Sequence, residues 1–211
     1  MNIIAHRGFW KLNEEKNTIC SFQRGIKIHY GIETDIRDFG GELVISHNIA
    51  DKNCPLVSEI FEIYRSQKSS VQLALNVKAD GIQEKLISLL KKYDIKNYFL
   101  FDMSIPEMVV NERMNLKFYT RHSDIESECV LYDKSCGVWL DSFYDKNWLT
   151  PEIIDKHLSN NKAMCIISPE IHGFDNSNYW NMLKNNEYYK NKNISLCTDV
   201  PDEAKEFFYE Q

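Results

Sequence analysis

The chain has 211 residues, of which 43% are hydrophobic and 12% aromatic, so it can bury a sizeable core. Its 31 acidic and 25 basic residues leave a formal net charge of -6, which argues against binding to nucleic acid or anionic membranes, since both need a basic face. Four Trp, eleven Tyr and eleven Phe exclude a disordered chain. We therefore expect one compact domain over residues 1–211.

The cysteines and the first residues of the chain favour a reducing compartment. The six cysteines form no Cys-x-x-Cys pair, and most lie in apolar runs such as Met164–Ile167, where cysteine behaves as a small hydrophobic residue. Residues 1–5 lead directly into His6, without the basic and apolar segments of a signal peptide. No run reaches the roughly 18 apolar residues that a membrane helix needs. We expect a cytoplasmic protein with no membrane span.

Short β-rich runs alternate with longer helical patterns along the whole chain. The predicted strands are Ile3–Ala5, Gly31–Ile36, Gln72–Val77, Tyr98–Phe101, Lys117–Thr120, Gly137–Leu140, Ala163–Ile167 and Ile194–Cys197. The predicted helices are Thr18–Ile28, Val57–Gln67, Gly81–Tyr93, Ile105–Arg113, Ile125–Asp133, Thr150–Ser159, Asn178–Glu187 and Asp202–Tyr209. A tight turn and a short extra strand are expected over residues 40–47.

Eight strand–helix units are the count of an α/β protein with the (β/α)8 TIM barrel fold. The rival architecture is a doubly wound open sheet, which seldom needs eight units. No glycine-rich phosphate-binding motif follows the first predicted strand, as that architecture would favour. We therefore predict the barrel.

Polar side chains share one face on two successive predicted strands. Because side chains alternate along a strand, Glu33 and Asp35 point to the same side, which faces inward in a barrel. The next predicted strand places Asn76 and Lys78 on the equivalent face. Two carboxylates about 5–6 Å apart repel by roughly 3 kcal/mol at an effective dielectric constant near 20, a cost that a divalent cation would remove. A solvated strand edge would explain Glu-x-Asp alone, but not the polar neighbours.

Two histidines and an arginine are expected at the same end of the barrel. His6 and Arg7 follow the first predicted strand, at the end where barrel enzymes place their active sites, and His47 follows the second. Histidine is a general acid or base near neutral pH, and arginine offers a fixed fork for phosphate oxygens. Together with Lys78 and a cation, these residue types suit a phosphate ester as substrate.

These residues also carry a family resemblance. The chain resembles the glycerophosphodiester phosphodiesterases, which are related to phosphatidylinositol-specific phospholipase C. The matching segments follow the family order along nearly the whole chain: Ile4–Gly8, Asn17-Thr18 with Ser21-Phe22, Gly31–Ile36, Gly41–His47 and Thr198–Pro201. The resemblance implies a (β/α)8 barrel that cleaves a small-molecule phosphodiester with a bound Mg²⁺ or Ca²⁺.

The resemblance also implies a role for each matching residue. It places Glu33 and Asp35 at two metal-ligand positions, Arg7 and Lys78 at phosphate-binding positions, and His6 and His47 at the two catalytic positions. By analogy His6 is the base and His47 the acid, although the two roles could be exchanged.

The chain departs from the family pattern at two positions. Asn76 stands where the family usually has a glutamate, and Asn48 follows His47 where the family has aspartate. An amide oxygen still ligates a hard cation, so we retain Asn76 as a third predicted ligand. The site loses one negative charge, which Asp102 or Asp141, at later strand ends, could supply.

Trp139 lies next to Asp141 near a strand end and is the best predicted residue of a substrate cleft. Three functions stay open at this point: a hydrolase that yields glycerol phosphate and an alcohol, a lyase that stops at a cyclic phosphate, and a catalytically silent phosphate-binding barrel. The presence of both histidines and Lys78 speaks against the silent barrel, because a binding protein needs no acid–base pair. The alcohol, the choice of metal and the oligomeric state are also left open.

Overall fold

The computed structural model describes residues 1–210, and Gln211, the last residue of the predicted domain, lies outside the described residues. The strands are β1 (Asn2–Ala5), β2 (Gly31–Phe39), β3 (Glu42–Ile45), β4 (Leu73–Val77), β5 (Tyr98–Phe101), β6 (Tyr119–Ser123), β7 (Gly137–Asp141), β8 (Ala163–Ile167) and β9 (Ile194–Thr198). The helices are α1 (Ile19–Lys27), α2 (Val57–Ser66), α3 (Gln83–Lys92), α4 (Ile105–Arg113), α5 (Pro151–Ser159), α6 (Ser177–Asn185) and α7 (Pro201–Tyr209). Eight of these strands are parallel, and the fold is a (β/α)8 TIM barrel, which confirms the predicted fold class.

The chain divides into two compact units, and the first is Ala5–Phe118. In this unit β4 lies between β2 and β5 and runs parallel to both. After a tight turn at residues 40–41, β3 returns antiparallel along β2, which confirms the extra strand predicted there. The register pairs Asp35 of β2 with Asn76 of β4, so polar residues of the two predicted strands are direct neighbours.

Amphipathic helices cover the strands of this unit. Helix α1 begins after Thr18, whose side-chain oxygen accepts a hydrogen bond from the backbone N–H of Ser21 at 3.4 Å. It buries Phe22 and Ile26 completely or nearly so, and Ile32 of β2 is also fully buried. Burying a side chain of this size stabilises the fold by about 1.5–3 kcal/mol. This packing keeps the polar side chains of β2 at fixed positions.

Within the described residues, the second unit comprises Met1–Ile4 and residues 119–210. Its four strands lie side by side in the order β9-β8-β7-β6, all parallel. Helix α5 begins with Pro151 in its first turn, where the missing N–H costs no intrahelical hydrogen bond. No helix within residues 1–210 combines the length and apolar character needed to cross a membrane.

One predicted helix, Ile125–Asp133, is wrong. Residues 124–131 form bends and turns instead, followed by a short 3₁₀ turn. The Asp124 carboxylate accepts the backbone N–H groups of residues 143–145 at 2.7–2.9 Å, and the Ser123 hydroxyl accepts those of residues 125 and 126. These side-chain bonds satisfy the backbone locally and compete with helix formation.

Candidate active site

A buried carboxylate on β2 is the centre of the candidate site. Asp35 is 1% exposed, and its Oδ1 lies 3.3 Å from Nδ1 of His47 and 3.5 Å from Nζ of Lys78. Its Oδ2 accepts a hydrogen bond from Nδ2 of Asn17 at 2.8 Å and lies 3.5 Å from Nε of Arg7. Three side chains predicted for this site, Arg7, His47 and Lys78, therefore converge on Asp35.

Glu33 lies two residues earlier on β2 and is 2% exposed. Its Oε2 accepts a hydrogen bond from the backbone N–H of Arg7 at 3.0 Å and lies 3.8 Å from Nε2 of His6. The carboxylate therefore contacts the turn that follows β1, and it brings His6 and Arg7 to the same end of the unit as Asp35.

The turn after β1 depends on a glycine. The backbone N–H of Gly8 donates to the carbonyl of Ala5 at 3.2 Å, and Gly8 has φ +84°. A Cβ at this position would also lie 2.4 Å from Oγ of Ser21 on α1. Both the backbone conformation and the close approach exclude a larger residue. The His-Arg-Gly sequence thus places two side chains of the candidate site immediately before the residue that permits the turn.

The two carboxylates of β2 differ in their pKa. Burial raises the pKa of Glu33 well above its usual range, and the negative charge of Asp35 adds to the increase. Burial acts in the same direction on Asp35, but the Asn17 hydrogen bond and the positive charges of Lys78 and Arg7 outweigh it, so the pKa of Asp35 is lowered. The two groups therefore resist being charged together, and a divalent cation would relieve this repulsion.

Asn76 supplies a third oxygen. Its Nδ2 donates a hydrogen bond to Oδ2 of Asp102 at 3.1 Å, whereas its buried Oδ1 has no hydrogen-bond partner within residues 1–210. A buried acceptor left unsatisfied costs about 1–3 kcal/mol. Glu33, Asp35 and Asn76, hereafter the carboxylate cluster, offer only oxygen donors, which are the ligands that Mg²⁺ and Ca²⁺ prefer. The residues present therefore fit a hard divalent cation.

His47 has one ring nitrogen directed toward the protein. Its Nδ1 lies 3.0 Å from Nη2 of Arg7 and 3.3 Å from Oδ1 of Asp35. Since a guanidinium only donates, Nδ1 either accepts from Arg7 or, when protonated, donates to Asp35. In both arrangements Nε2 is the nitrogen left for chemistry. The side chain is 45% exposed, so a substrate can reach it.

No separate role was predicted for Asn17, which belongs to one of the segments that match the family. In the structure its Oδ1 accepts a hydrogen bond from the Thr34 hydroxyl at 2.9 Å while its Nδ2 donates to Asp35. Asn17 therefore holds the Asp35 carboxylate in place. The sequence pointed to Asn17 only through the family resemblance. No local pattern predicts a contact between Asn17 and Asp35, which are 18 residues apart.

Trp139 and Asp141 belong to the other unit, on β7. Trp139 is 5% exposed, and its Nε1 donates to Oδ2 of Asp141 at 3.3 Å. Oδ1 of Asp141 in turn lies 2.7 Å from Nε2 of His172. The position of Trp139 in a substrate cleft stays a prediction.

Comparison with known proteins gives a likeness in structure and none in sequence: no family model matches the chain, and neither does any curated protein. A protein from Galdieria sulphuraria, provisionally assigned as a glycerophosphodiester phosphodiesterase, has a TM-score of 0.77 at 17% identity, covering 98% of this chain and 97% of that one. A phosphodiesterase from Oleispira antarctica, solved with the product sn-glycerol-3-phosphate, has a TM-score of 0.69 at 13% identity, covering 98% and 96%. This chain has the fold of the glycerophosphodiester phosphodiesterases.

A Ca²⁺-dependent phosphatidylinositol-specific phospholipase C from Streptomyces antibioticus shares this phosphodiesterase fold, with a TM-score of 0.58 at 8% identity over 97% of this chain and 95% of that one. The phosphodiesterase fold thus extends over nearly the whole of each pair of chains. The resemblance predicted from the sequence is confirmed at the level of the fold.

Proposed function

We propose that this chain is a metal-dependent phosphodiesterase, a phosphoric diester hydrolase that converts a glycerophosphodiester-type small molecule to glycerol phosphate and an alcohol. The observation that carries the proposal is the convergence of Arg7, His47 and Lys78 on the buried Asp35, each within 3.5 Å. Two fixed positive charges beside an acid–base group suit an anionic phosphodiester. The shared fold of the glycerophosphodiester phosphodiesterases supports the same class of reaction.

The carboxylate cluster is the proposed site of a Mg²⁺ or Ca²⁺ ion. Its support is the repulsion between the two buried carboxylates and the unsatisfied Oδ1 of Asn76. When bound, the cation supplies Lewis-acid stabilisation of charge on the phosphoryl oxygens. With two carboxylates and an amide, the loaded site would be close to neutral before the anionic substrate arrives.

Arg7 and Lys78 are the proposed phosphate-binding residues. Their side chains are 24% and 22% exposed, so each can leave Asp35 and contact a substrate in the opening of the site. The planar guanidinium of Arg7 can bind two phosphate oxygens at once, and the Lys78 ammonium acts as a point charge. Both interactions strengthen as negative charge builds on phosphorus-bound oxygens in the transition state.

His6 and His47 are the proposed acid–base pair. His6 removes the proton of a substrate hydroxyl next to the phosphodiester, and that oxygen attacks phosphorus. As the bond from phosphorus to the leaving alcohol breaks, Nε2 of His47 gives its proton to the departing oxygen. Water then opens the cyclic phosphate with the two histidines in exchanged roles, which yields the phosphomonoester and restores both side chains.

Phosphorus NMR tests the proposal directly. The purified chain is incubated with a panel of glycerophosphodiesters in the presence of Mg²⁺ or Ca²⁺. Formation of a phosphomonoester supports hydrolysis, whereas accumulation of a cyclic diester alone would make the protein a lyase. No conversion of any panel member with either metal would overturn the proposed activity and favour a phosphate-binding barrel.

We also propose that residues 1–211 form one domain that acts in the cytoplasm on a small molecule and not on nucleic acid. The support is the acidic balance of the chain and the spacing of its six cysteines.

A further inference from the structure

Two histidines and a cysteine come together in the unit that contains β6 to β9. His122 lies on β6, Cys129 in the irregular segment that follows, and His157 on α5. Each offers one nitrogen or sulfur atom, and these three atoms lie within 4.8 Å of one another. Nδ1 of His122 and Nε2 of His157 are 3.0 Å apart. We call His122, Cys129 and His157 the imidazole–thiol cluster.

The second ring nitrogen of His157 already has a partner. The Tyr132 hydroxyl lies 2.9 Å from Nδ1 of His157. If Nδ1–H donates to this hydroxyl, the lone pair of Nε2 is directed toward His122. Histidines that ligate metals almost always hold their other N–H on such an acceptor, which fixes the tautomer and the orientation of the ring. The ring of Trp148, whose centroid is 4.9 Å from that of His122, packs edge-on against it and restricts its position.

The charge states also suit metal ligation. Burial lowers the pKa of His157 to about 4, and the charges of His122, Lys156 and Lys162 add to this effect, so the imidazole is neutral near pH 7. Burial likewise lowers the pKa of His122. Burial raises the pKa of the Cys129 thiol to about 11, against the influence of the same two lysines. This thiol makes no hydrogen bond within residues 1–210 and would release its proton on binding a metal.

We propose that the imidazole–thiol cluster binds one Zn²⁺ ion, with solvent at the fourth position. Two imidazoles and a thiolate are ligands for a borderline-soft ion and not for Mg²⁺ or Ca²⁺. Tetrahedral zinc places such donors roughly 3.3–3.6 Å apart, so the three atoms need shifts of only about 1 Å. On binding, the Cys129 S–H bond breaks, its proton passes to solvent and a Zn–S bond forms. His122, whose Nδ1–H donates to Nε2 of His157 in the metal-free protein, gives up that proton to solvent and takes one at Nε2, so that Nδ1 is free to bind the ion.

The proposed ion has a structural consequence for residues 124–131. This segment has no regular helix or strand, and Ile125 and Val130 are exposed, so little apolar burial holds it. A Zn²⁺ ion bound through Cys129 would tie the segment to β6 and α5. The proposed zinc site uses none of the residues of the proposed phosphodiesterase reaction, so each can be tested independently of the other.

A Co²⁺ titration of the full chain is the direct test. Excess Mg²⁺ is present to occupy the carboxylate cluster, and the thiolate-to-cobalt charge-transfer absorption in the near ultraviolet reports a cysteine ligand. We expect one saturable equivalent of Co²⁺, which one equivalent of Zn²⁺ displaces. The absorption should be lost in Cys129→Ser and kept in the control Cys54→Ser, which alters another half-buried cysteine.

Two further measurements separate ligation from a structural role. Tyr132→Phe removes the acceptor for His157 Nδ1–H and should weaken Zn²⁺ binding about 10- to 100-fold. Zn²⁺ should raise the Tm of the parent and of Cys54→Ser, but not that of Cys129→Ser, which should keep the parent's phosphodiesterase activity. Absence of the charge-transfer absorption in the parent, or its persistence in Cys129→Ser, would overturn the proposal.

Discussion

The carboxylate cluster and the imidazole–thiol cluster are largely buried polar groups, one in each compact unit, and burial shifts the pKa of a carboxylic acid and of an imidazole in opposite directions. It raises the pKa of Glu33 and lowers the pKa of His157, because in each case it disfavours the charged form. Around the carboxylates, Arg7 and Lys78 supply compensating positive charge. Around the imidazoles, the Tyr132 hydroxyl supplies a neutral hydrogen-bonding partner, and the positive charges of Lys156 and Lys162 further disfavour protonation of His157.

This difference separates the chemistry of the two clusters. Oxygen donors beside fixed positive charges suit a hard cation and an anionic substrate. Neutral nitrogen donors and a thiol suit a softer ion. The contrast teaches that burial alone does not make a reaction centre; the fixed charges around the buried groups decide what they can bind.

Loss of the cation or of a charged ligand should have the largest effect. We expect chelation, Glu33→Gln or Asp35→Asn to lower activity by about 10³-fold or more, because Lewis-acid stabilisation is worth several kcal/mol. The control is Asp38→Asn, an exposed carboxylate on the same strand. Turnover is measured by phosphorus NMR. Full activity of metal-stripped protein in chelator would show that the carboxylate cluster needs no cation.

Removal of either histidine should have the next largest effect. His6→Ala and His47→Ala should each lower kcat by at least about 10²-fold, since a proton transfer is lost. Both variants should fold normally, because neither side chain is part of the apolar core, and circular dichroism checks this. His29→Asn is the matched control at an exposed histidine, whose positive φ asparagine tolerates. Near-normal turnover in either alanine variant would remove that residue from the mechanism.

Substitution of Asn76 tests its role as a ligand. Asn76→Asp should lower the metal concentration needed for half-maximal activity, and Asn76→Leu, which has no donor oxygen, should raise it. Without metal, Asn76→Asp loses the hydrogen bond to Asp102 and sets two carboxylates together, which should lower the free energy of unfolding by about 1–3 kcal/mol. Metal titrations of activity and of Tm measure both effects. If Asn76→Leu matched the parent at every metal concentration, Asp102 would become the candidate ligand.

The smallest expected effect is on stability and concerns the contact between Asp141 and His172 on the second unit. Its hydrogen bond to His172 raises the pKa of that imidazole above its ordinary value. A raised folded-state pKa stabilises the protein below the ordinary pKa of about 6.5, and the contribution is lost as pH rises through the raised value. Asp141→Asn should therefore reduce stability near pH 6 by about 1 kcal/mol or less, and should have little effect at higher pH.

Proton NMR titration of His172 and urea unfolding at several pH values measure this effect. The pKa of His172 should fall toward its ordinary value in Asp141→Asn. An unchanged titration would mean that the Asp141–His172 pair does not bind the proton more tightly in the folded state.

Features that depend on local pattern were predictable from the sequence. Alternation along β2 placed Glu33 and Asp35 on one face, and the structure buries both carboxylates there. The strand–helix count predicted the barrel, and residues 40–47 predicted β3. These features were accessible because the period of a strand or helix is set by the backbone geometry of neighbouring residues.

Contacts between distant residues were decided only by the tertiary structure. Asn17 holds Asp35, and Cys129 meets His122 and His157, because separate elements pack together, which no local period encodes. In segment 124–131 the tertiary structure overrides a local pattern, because the predicted helix does not form. Its apolar spacing is helical, but the Asp124 carboxylate binds backbone N–H groups about 20 residues away and the segment stays irregular. Sequence pattern thus determined the elements and the face that carries the carboxylates, whereas long-range hydrogen bonds decided which groups meet.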